Sequence, residues 1–469
     1  MKIYNKYILS ATFSVMLLSC SDRLDVKPVD DVDATIAVQT SSDVEALLIG
    51  AYDSMGDGDV LGGNIQRDAE LIADNGDIEW GGTFVAPGEI FTKTMLKDNN
   101  QAQTTWLDSY RTINAVNTVL ANLALVRESK KKSVEGEARL IRAWVHFELV
   151  RAYAKTYQDG NATTNLGVPV VTIPTVKKAD INFPKRNTVD EVYKAVIADL
   201  VSAETLLPVL PSTSYVYATK ATADALLSRV YLMQANYEGA RQAANRVITS
   251  NKYALTDSFN EAFNNKKNST EDIFALQNND QDFVNELNTF FASSSKKGRG
   301  DIIVNDQHLN SYDAADDRGA FFYEAGDIFT AKWQERIATI PVIRLAEMYL
   351  TRAEANFRVG GVPLGATPVA DVNRIRTRAS IIEVIDSKPI RMLKQYTTID
   401  LPLILKERRF ELAFEGHWIH DIKRNKQTII KKTGSTTQTW AYNSPKLIFP
   451  IPLREIDANK NLLQNDGYN

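Results

Sequence analysis

Apolar residues recur every three or four positions along much of the chain, and the densest such stretch runs from Val134 to Tyr153. Leu140 and Trp144 share one helical face there, and Ile141 and Val145 share the adjoining face. A helix with two apolar faces needs a neighbour on each of them. We therefore predict a long helix that is surrounded by other helices.

Charged residues fill the remaining positions of this helix: Arg139, Arg142, Glu148 and Arg151. Glu135 stands four residues before Arg139, in the order that favours a helical ion pair. Pairs of this kind are common on helix surfaces, so we predict a solvated edge rather than a catalytic group. Ser133 is the predicted N-cap.

The same spacing predicts four further helices: 43–52, 106–123, 189–207 and 401–414. Trp106 falls on an apolar face and is predicted to be part of the core. Two helix pairs, at 222–248 and 342–379, carry small residues where the helices would touch, as tetratricopeptide repeats do.

Strand and loop patterns occupy the stretches between the helices. Residues 272–277 predict a buried strand, and a short strand is predicted over 168–173. Glycine and proline predict a loop over 64–100, an extended connector over 157–188 and coil over 440–469.

The predicted loop 64–100 contains residues that suit a sugar. Trp80 and Phe84 lie among glycines, shortly after Asn75 and Asp77. The C–H face of a sugar ring stacks on an aromatic ring, and its hydroxyls hydrogen-bond to amides and carboxylates. An equal alternative is that Trp80 folds back as a plug over the core.

Three later residues are predicted to complete such a binding site. Tyr323 and Phe291 would stack on sugar rings together with Trp80, and Arg299 would hydrogen-bond hydroxyls together with Asn75. The pattern does not decide which of the other aromatic residues near 290–333 lie in the core and which lie at the surface.

Composition indicates an ordinary globular protein and argues against nucleic acid as a partner. The chain has 469 residues, of which 44% are hydrophobic and 24% are charged, and its formal net charge is -4. Its longest basic block is 130–132, and a short lysine run is typical of a solvated turn.

The first twenty residues predict export and lipid attachment. Lys2 and Lys6 precede a short apolar run that ends in Leu-Leu-Ser-Cys at Cys20, the single cysteine of the chain. This resembles a bacterial lipoprotein signal peptide over 1–19, with Cys20 as the lipidated residue. Residues 20–40 are then a tether, and multiple acyl chains would suffice for stable membrane attachment.

No catalytic motif, metal site or cofactor site is predicted. His417 and His420 are three residues apart, but no recognisable third ligand completes a metal site. Glu411 and Glu415 have the spacing of a carboxylate pair, yet Arg408 shares their segment, so an ion-pair lattice is favoured over a glycosidase dyad.

Several segments in their joint order resemble the SusD/RagB family of outer-membrane nutrient-binding lipoproteins from Bacteroidetes. The segments that carry the resemblance are the lipobox with Leu24-Asp25, Trp106 to Asn117, Glu137 to Phe147, Thr188 to Leu200, Ile273-Phe274-Ala275, Arg344 to Ala355, Asn373 to Arg376, Glu407 to Gly416 and Phe449 to Asn459. Trp418 is one departure, because the family's segment would have an arginine there.

The resemblance implies a mostly α-helical fold, in which about four tetratricopeptide-like helix pairs support a loop-rich ligand-binding face with a few short strands. It implies a single domain over 41–469, with an N-terminal part over about 41–250 and a C-terminal part over about 270–469. By the same resemblance, the protein is expected at the outer surface of a Gram-negative cell.

The expected function is noncatalytic capture of an oligosaccharide or polysaccharide, which is delivered to a SusC-like TonB-dependent transporter. Two alternatives stay open. The same scaffold could capture peptides, or the protein could be a surface glycosidase.

Overall fold

The computed structural model describes residues 38–210, 216–278, 285–385 and 388–468. These residues form 15 α-helices and ten short strands, so the predicted mostly α-helical fold class is confirmed. None of these helices has both the length and the apolar character needed to cross a membrane. The predicted signal peptide, Cys20 and most of the predicted tether lie outside the described residues.

The helices are α1 Ser41–Gly56, α2 Asn64–Ala73, α3 Val85–Thr92, α4 Asn100–Ala121, α5 Glu128–Tyr153, α6 Val189–Leu206, α7 Lys220–Met233, α8 Tyr237–Thr249, α9 Glu286–Phe291, α10 Asp306–Leu309, α11 Leu345–Val359, α12 Pro368–Arg378, α13 Leu401–Glu411, α14 Trp418–Arg424 and α15 Leu453–Ala458.

The strands are β1 Ile78–Trp80, β2 Asp272–Leu276, β3 Ile302–Val304, β4 Phe322–Ala325, β5 Asp327–Thr330, β6 Ile340–Arg344, β7 Ile382–Ile385, β8 Lys388–Arg391, β9 Ile429–Thr433 and β10 Thr436–Trp440. They form five antiparallel two-stranded sheets, which pair β1 with β3, β2 with β6, β4 with β5, β7 with β8 and β9 with β10.

The long helices pack one against the next in the order α4, α5, α6, α7, α8, α11 and α12. Both predicted helix pairs are confirmed, as α7 with α8 and α11 with α12. The turn between α7 and α8 is closed by Asn236, whose side chain accepts a hydrogen bond from the Gly239 N–H at 3.0 Å. Thr188 and Glu191 form a reciprocal capping box at the start of α6.

Helix α5 is surrounded as predicted, because it packs against α1, α4, α6 and α7. Trp144 is completely buried, and its ring lies 5.2 Å from the Phe274 ring on β2. The helix begins at Glu128 rather than after Ser133, so the predicted cap is wrong. The intervening lysines extend the helix, and lysine has a high intrinsic helix propensity.

The predicted solvated edge on α5 is wrong for Arg142, Glu148 and Arg151, whereas Arg139 stays 30% exposed and pairs with Glu135 at 2.8 Å as predicted. Arg142 and Glu148 are buried, and the Arg142 Nε donates to the Asp199 carboxylate of α6 at 2.7 Å. Arg151 pairs with Glu148 on the same helix. Because neighbouring helices enclose this part of α5, Arg142 and Glu148 find hydrogen-bond partners within the protein.

Three predictions for the connecting segments need correction. The predicted loop 64–100 contains α2, β1 and α3, and the predicted coil 440–469 contains α15. Residues 168–173 form no strand, although the predicted strand at 272–277 is confirmed as β2. Short helices contain too few turns for a strong periodic signal.

A buried charge lattice joins β6 to the C-terminal helices. We use this name for Glu271, Arg344, Glu411 and Glu415, together with Arg378 and Lys332. Arg344 lies 3.0 Å from both Glu271 and Glu411, and 2.7 Å from Glu415. The predicted ion-pair lattice around Glu411 and Glu415 is therefore confirmed, but its main cation comes from β6, and Arg408 pairs with Asp421 instead.

Candidate functional site

The loop between α2 and β1 is folded by its own polar groups. Asp74 Oδ1 accepts hydrogen bonds from the N–H groups of Gly76 at 2.9 Å and Ile78 at 3.1 Å. Gly76 has a φ of 108°, a conformation that glycine adopts without strain. The chain thereby turns directly into strand β1, at whose end Trp80 lies.

Pairing of β1 with β3 brings Trp80 beside a second, distant loop. Trp80 lies opposite Ile302, and the Gly81 N–H donates to the Asp301 carbonyl at 2.8 Å. A Cβ atom at Gly82 would lie only 2.5 Å from the Trp80 ring and 2.7 Å from the Asp301 carboxyl carbon. Glycine is thus required at Gly82 by this close approach.

Trp80, Phe84 and Arg299, three of the predicted site residues, meet in an arrangement that we call the aromatic platform. Phe84 is 48% exposed, and Trp80 is half-buried. Both rings lie 6.1 Å from the ring of Phe290, which supports them from the core side. The Arg299 guanidinium lies 4.2 Å from the centre of the Phe84 ring.

Arg299 is held in place by polar contacts. Its Nε donates to the Asp301 carboxylate at 2.8 Å, and its Nη2 donates to the Thr83 hydroxyl at 3.3 Å. The Arg299 side chain remains 38% exposed. A guanidinium has five N–H donors, so Arg299 keeps donors for a ligand.

Tyr323 lies next to the loop that carries Arg299 and fixes that loop. Its hydroxyl accepts a hydrogen bond from the Ser293 N–H at 2.8 Å and donates to the Ser293 Oγ at 3.2 Å. Its ring is tilted against Phe329, which in turn lies 3.2 Å from the position of a Cβ atom at Gly300. Stacking of Tyr323 on a sugar stays a prediction.

Phe291 is not available to a ligand. It is 0% exposed and packs against Phe414 with ring centres 5.9 Å apart. The prediction that Phe291 stacks on sugar is corrected on this ground, because helix α9 directs that ring into the core.

The Asp77 carboxylate is also committed to the protein. It accepts hydrogen bonds from Arg409 at 3.2 Å and from Gln307 at 3.0 Å, and it lies 3.5 Å from His308. Burial by itself raises the pKa of Asp77, but the hydrogen bond from His308 and the charge of Arg409 lower it below its usual range. Asn75 donates to the same carboxylate when its amide is oriented to satisfy both groups. Asp77 therefore orders the loop before β1 and does not present a free carboxylate.

Sequence reasoning did not identify Thr83, Phe290 or Asp301. Phe290 is next to Phe291, and only the packing of α9 shows which ring supports the platform. Asp301 has no motif, and its role follows from the pairing of β1 with β3.

His417 is buried and His420 is half-buried, and removal from water lowers the pKa of both imidazoles well below its ordinary value. Within the described ranges, one group of three acidic side chains is close enough to share a cation. It consists of Asp57, Asp59 and Asp108, whose oxygen atoms lie within 4.8 Å of one another. This group shares no residue with the aromatic platform or with the two histidines.

Solved structures with the same fold are SusD-type proteins. A SusD superfamily protein from Bacteroides thetaiotaomicron superposes with a TM-score of 0.79 at 24% identity, over 91% of this chain and 100% of the other. A SusD-like carbohydrate binding protein from Bacteroides vulgatus gives a TM-score of 0.75 at 20% identity, over 91% and 98% of the two chains. These likenesses establish the fold.

Relatives and family models agree with the fold. SusD-like protein P2 from Formosa agariphila is 25% identical, over 97% of this chain and 99% of its own. The starch-binding protein SusD of Bacteroides thetaiotaomicron is 35% identical over 138 residues, which are 28% of this chain and 21% of that protein. A SusD-like family model described as starch-binding and associating with the outer membrane matches residues 22–232, and the SusD family model matches residues 256–468. The two matches together span most of the sequence, and the chain belongs to the SusD family.

Proposed function

We propose that this protein captures glycans at the bacterial surface without cleaving them. The observation that supports the proposal most is Phe84, which stays 48% exposed although the Phe290 ring packs beside it. An exposed ring flanked by Arg299 and the Thr83 hydroxyl offers an apolar face and hydrogen-bonding groups together. That combination suits the C–H face and the hydroxyls of a sugar.

The expected affinity is modest. Each aromatic stacking contact contributes about 1 kcal/mol beyond its buried area. Two such contacts with a few hydrogen bonds correspond to dissociation constants from roughly micromolar to millimolar. Capture of a polymer with repeated units would compensate for weak single contacts.

The proposed location is the outer surface of the outer membrane, with the chain anchored through lipid on Cys20. The proposed partner is a SusC-like TonB-dependent transporter that receives the glycan. The match to a family model described as associating with the outer membrane supports the location.

The test uses affinity gels that contain starch or another polysaccharide, and a chain of residues 21–469. Starch is the first probe because one relative is named a starch-binding protein. We expect retention of the wild type and loss of retention in Phe84→Ala. The matched control is Phe357→Ala, since Phe357 is 39% exposed on α11 and lies outside the platform.

The same samples distinguish glycan capture from the two alternative functions, glycan cleavage and peptide capture. New reducing ends in the polysaccharide would show a glycosidase and would contradict capture without cleavage. Absence of retention on every polysaccharide, combined with a thermal shift caused by peptide mixtures, would contradict glycan binding and favour peptide capture.

A further inference from the structure

A surface cleft of about 670 Å³ lies against α13 and α14, and it shares no residue with the aromatic platform. Its walls come from these two helices, from the residues that follow α14, and from single residues such as Tyr237 and Arg358. The volume falls within the roughly 300–1,000 Å³ of small-molecule sites. We call it the α13–α14 cleft.

The cleft carries an excess of positive charge. Five cationic side chains line it, and none of its lining residues is an aspartate or glutamate: Arg358, Lys406, Arg409, Arg424 and Lys426. The three arginines are neutralised from behind. Arg409 pairs with Glu70 at 2.9 Å, and Arg358 and Arg424 both pair with Glu354.

The two lysines are not neutralised in this way. Lys406 and Lys426 are exposed, and neither forms an ion pair with any residue in the described part of the chain. Their ammonium groups lie near aromatic rings instead, 5.2 Å from Phe410 and 5.9 Å from Tyr442. Two unpaired cations at one cleft favour a ligand that carries negative charge.

Trp418 lines the same cleft. The Arg409 guanidinium lies 4.9 Å from its ring centre, so the ring is positioned by a residue that is itself held by Glu70. Leu401, Pro402 and Leu405 add an apolar wall. An aromatic ring beside apolar side chains makes this wall more suitable for a sugar ring than for a bare anion.

We propose that the α13–α14 cleft binds an acidic sugar unit, whose carboxylate or sulfate ester pairs with Lys406 and Lys426. The sugar ring then lies along Trp418 and Leu405. The positive charge of the cleft by itself favours a ligand with negative charge. The assignment of that ligand as a saccharide rests on the proposed function.

Calorimetric titration of the full mature chain tests the proposal with three probes: trigalacturonic acid, galactose 6-sulfate and neutral maltotriose. We expect an acidic probe to bind the wild type. Its affinity for the double variant Lys406→Gln/Lys426→Gln should be at least tenfold lower, because charge-assisted hydrogen bonds are lost. The control Lys388→Gln/Lys432→Gln removes two exposed lysines elsewhere and should bind like the wild type. The anion that binds, carboxylate or sulfate, identifies the sugar class.

Failure of each proposal gives a different result. If Phe84→Ala weakens binding of the acidic probe and the double variant does not, the ligand lies on the aromatic platform and the cleft proposal is overturned. If neither acidic probe binds while a neutral polysaccharide is retained, the cleft proposal is again overturned and glycan capture stands. If no neutral polysaccharide is retained while an acidic probe binds and the double variant weakens that binding, the role of the aromatic platform in glycan capture is contradicted and the cleft proposal stands.

Lysine acylation provides a second measurement that needs no variant. The acidic probe that binds in the titration should slow acylation of Lys406 and Lys426 by an acetyl ester reagent, as measured by peptide mass spectrometry, and should leave the acylation rates of Lys388 and Lys432 unchanged. Equal rates with and without the probe would overturn the proposal.

Discussion

Arginine, carboxylate and phenylalanine meet in two regions of this protein with opposite results. In the charge lattice, Arg344 is buried and lies 4.9 Å from the centre of the Phe263 ring. On the aromatic platform, Arg299 is 38% exposed and lies 4.2 Å from the centre of the Phe84 ring. The same kinds of group can therefore lie in the core or remain accessible to a ligand, and the exposure of the arginine to water distinguishes the two cases.

The physical reason is the cost of burying charge. A buried guanidinium must have carboxylate and hydrogen-bond partners, because an unpaired buried charge is strongly destabilising. Arg344 accordingly contacts three carboxylates of the lattice. Arg299 pairs with Asp301 alone and stays accessible to a ligand.

The largest expected effect comes from breaking the lattice. Arg344→Met leaves Glu271, Glu411 and Glu415 without their shared cation, so the free energy of unfolding should fall by about 3–5 kcal/mol. Urea unfolding followed by circular dichroism measures it. The control Arg127→Ala removes a pair with Glu45 in which the arginine is 66% exposed, and should cost at most about 1 kcal/mol. Equal losses in the two variants would contradict a stabilising lattice.

Acid should weaken the lattice through Glu411. Burial by itself raises the pKa of Glu411, but the charges of Arg378 and Arg344 lower it from 4.5 to about 2. A carboxyl group whose pKa is lower in the folded state contributes stability above pH 4.5 and loses it as the pH falls towards 2.

Wild-type protein should therefore lose stability steeply across that pH window. Glu411→Gln should start from a lower stability at pH 7 and show a shallower slope over the same window. Urea midpoints at several pH values measure both slopes, and parallel slopes would show that Glu411 does not titrate in this way.

Trp80→Ala tests the aromatic platform, which is the second region of the comparison. We expect loss of glycan retention, together with a loss of about 1–2 kcal/mol in unfolding free energy, because the half-buried ring also packs on Phe290. Trp80→Phe keeps a ring and should keep part of the retention. If Trp80→Ala retains every glycan that the wild type binds, Trp80 is only a plug over the core.

The smallest effect is expected at Arg299. Arg299→Gln should weaken glycan binding about threefold, since one exposed charged hydrogen-bond donor is lost, and should change unfolding free energy by less than about 1 kcal/mol. Thermal unfolding and retention are measured on the same sample. Arg454→Gln is the matched control, because Arg454 is exposed and forms no ion pair within the described residues. A larger stability loss in Arg299→Gln than in Arg344→Met would reverse the comparison.

Long helices could be predicted because their periodic signal repeats over several turns. Helix α5 was predicted to be surrounded, and the structure confirms it for Trp144. Helices α2 and α3 were missed, because they have only ten and eight residues and neither has a side-chain hydrogen bond at its N-cap. Because these helices have neither a side-chain cap nor many turns, the glycine and proline residues of this segment led to the prediction of a loop.

The candidate site was predicted only in part. Trp80, Phe84 and Arg299 were identified by residue type and do come together, whereas Phe291 and Asp77 turned out to be buried. Residue type indicates what a side chain can do. Its exposure depends on packing partners that lie far away in the sequence.

The sequence by itself determined the helical scaffold, the family and the fact that α5 is enclosed, because all three depend on patterns that repeat or recur in a fixed order. Only the tertiary structure decided which of two adjacent phenylalanines, Phe290 and Phe291, supports the platform. It also decided that Arg344 stabilises the fold while Arg299 faces water. The pairing of β1 with β3 and the meeting of β6 with α13 set these environments, and no local pattern encodes such contacts.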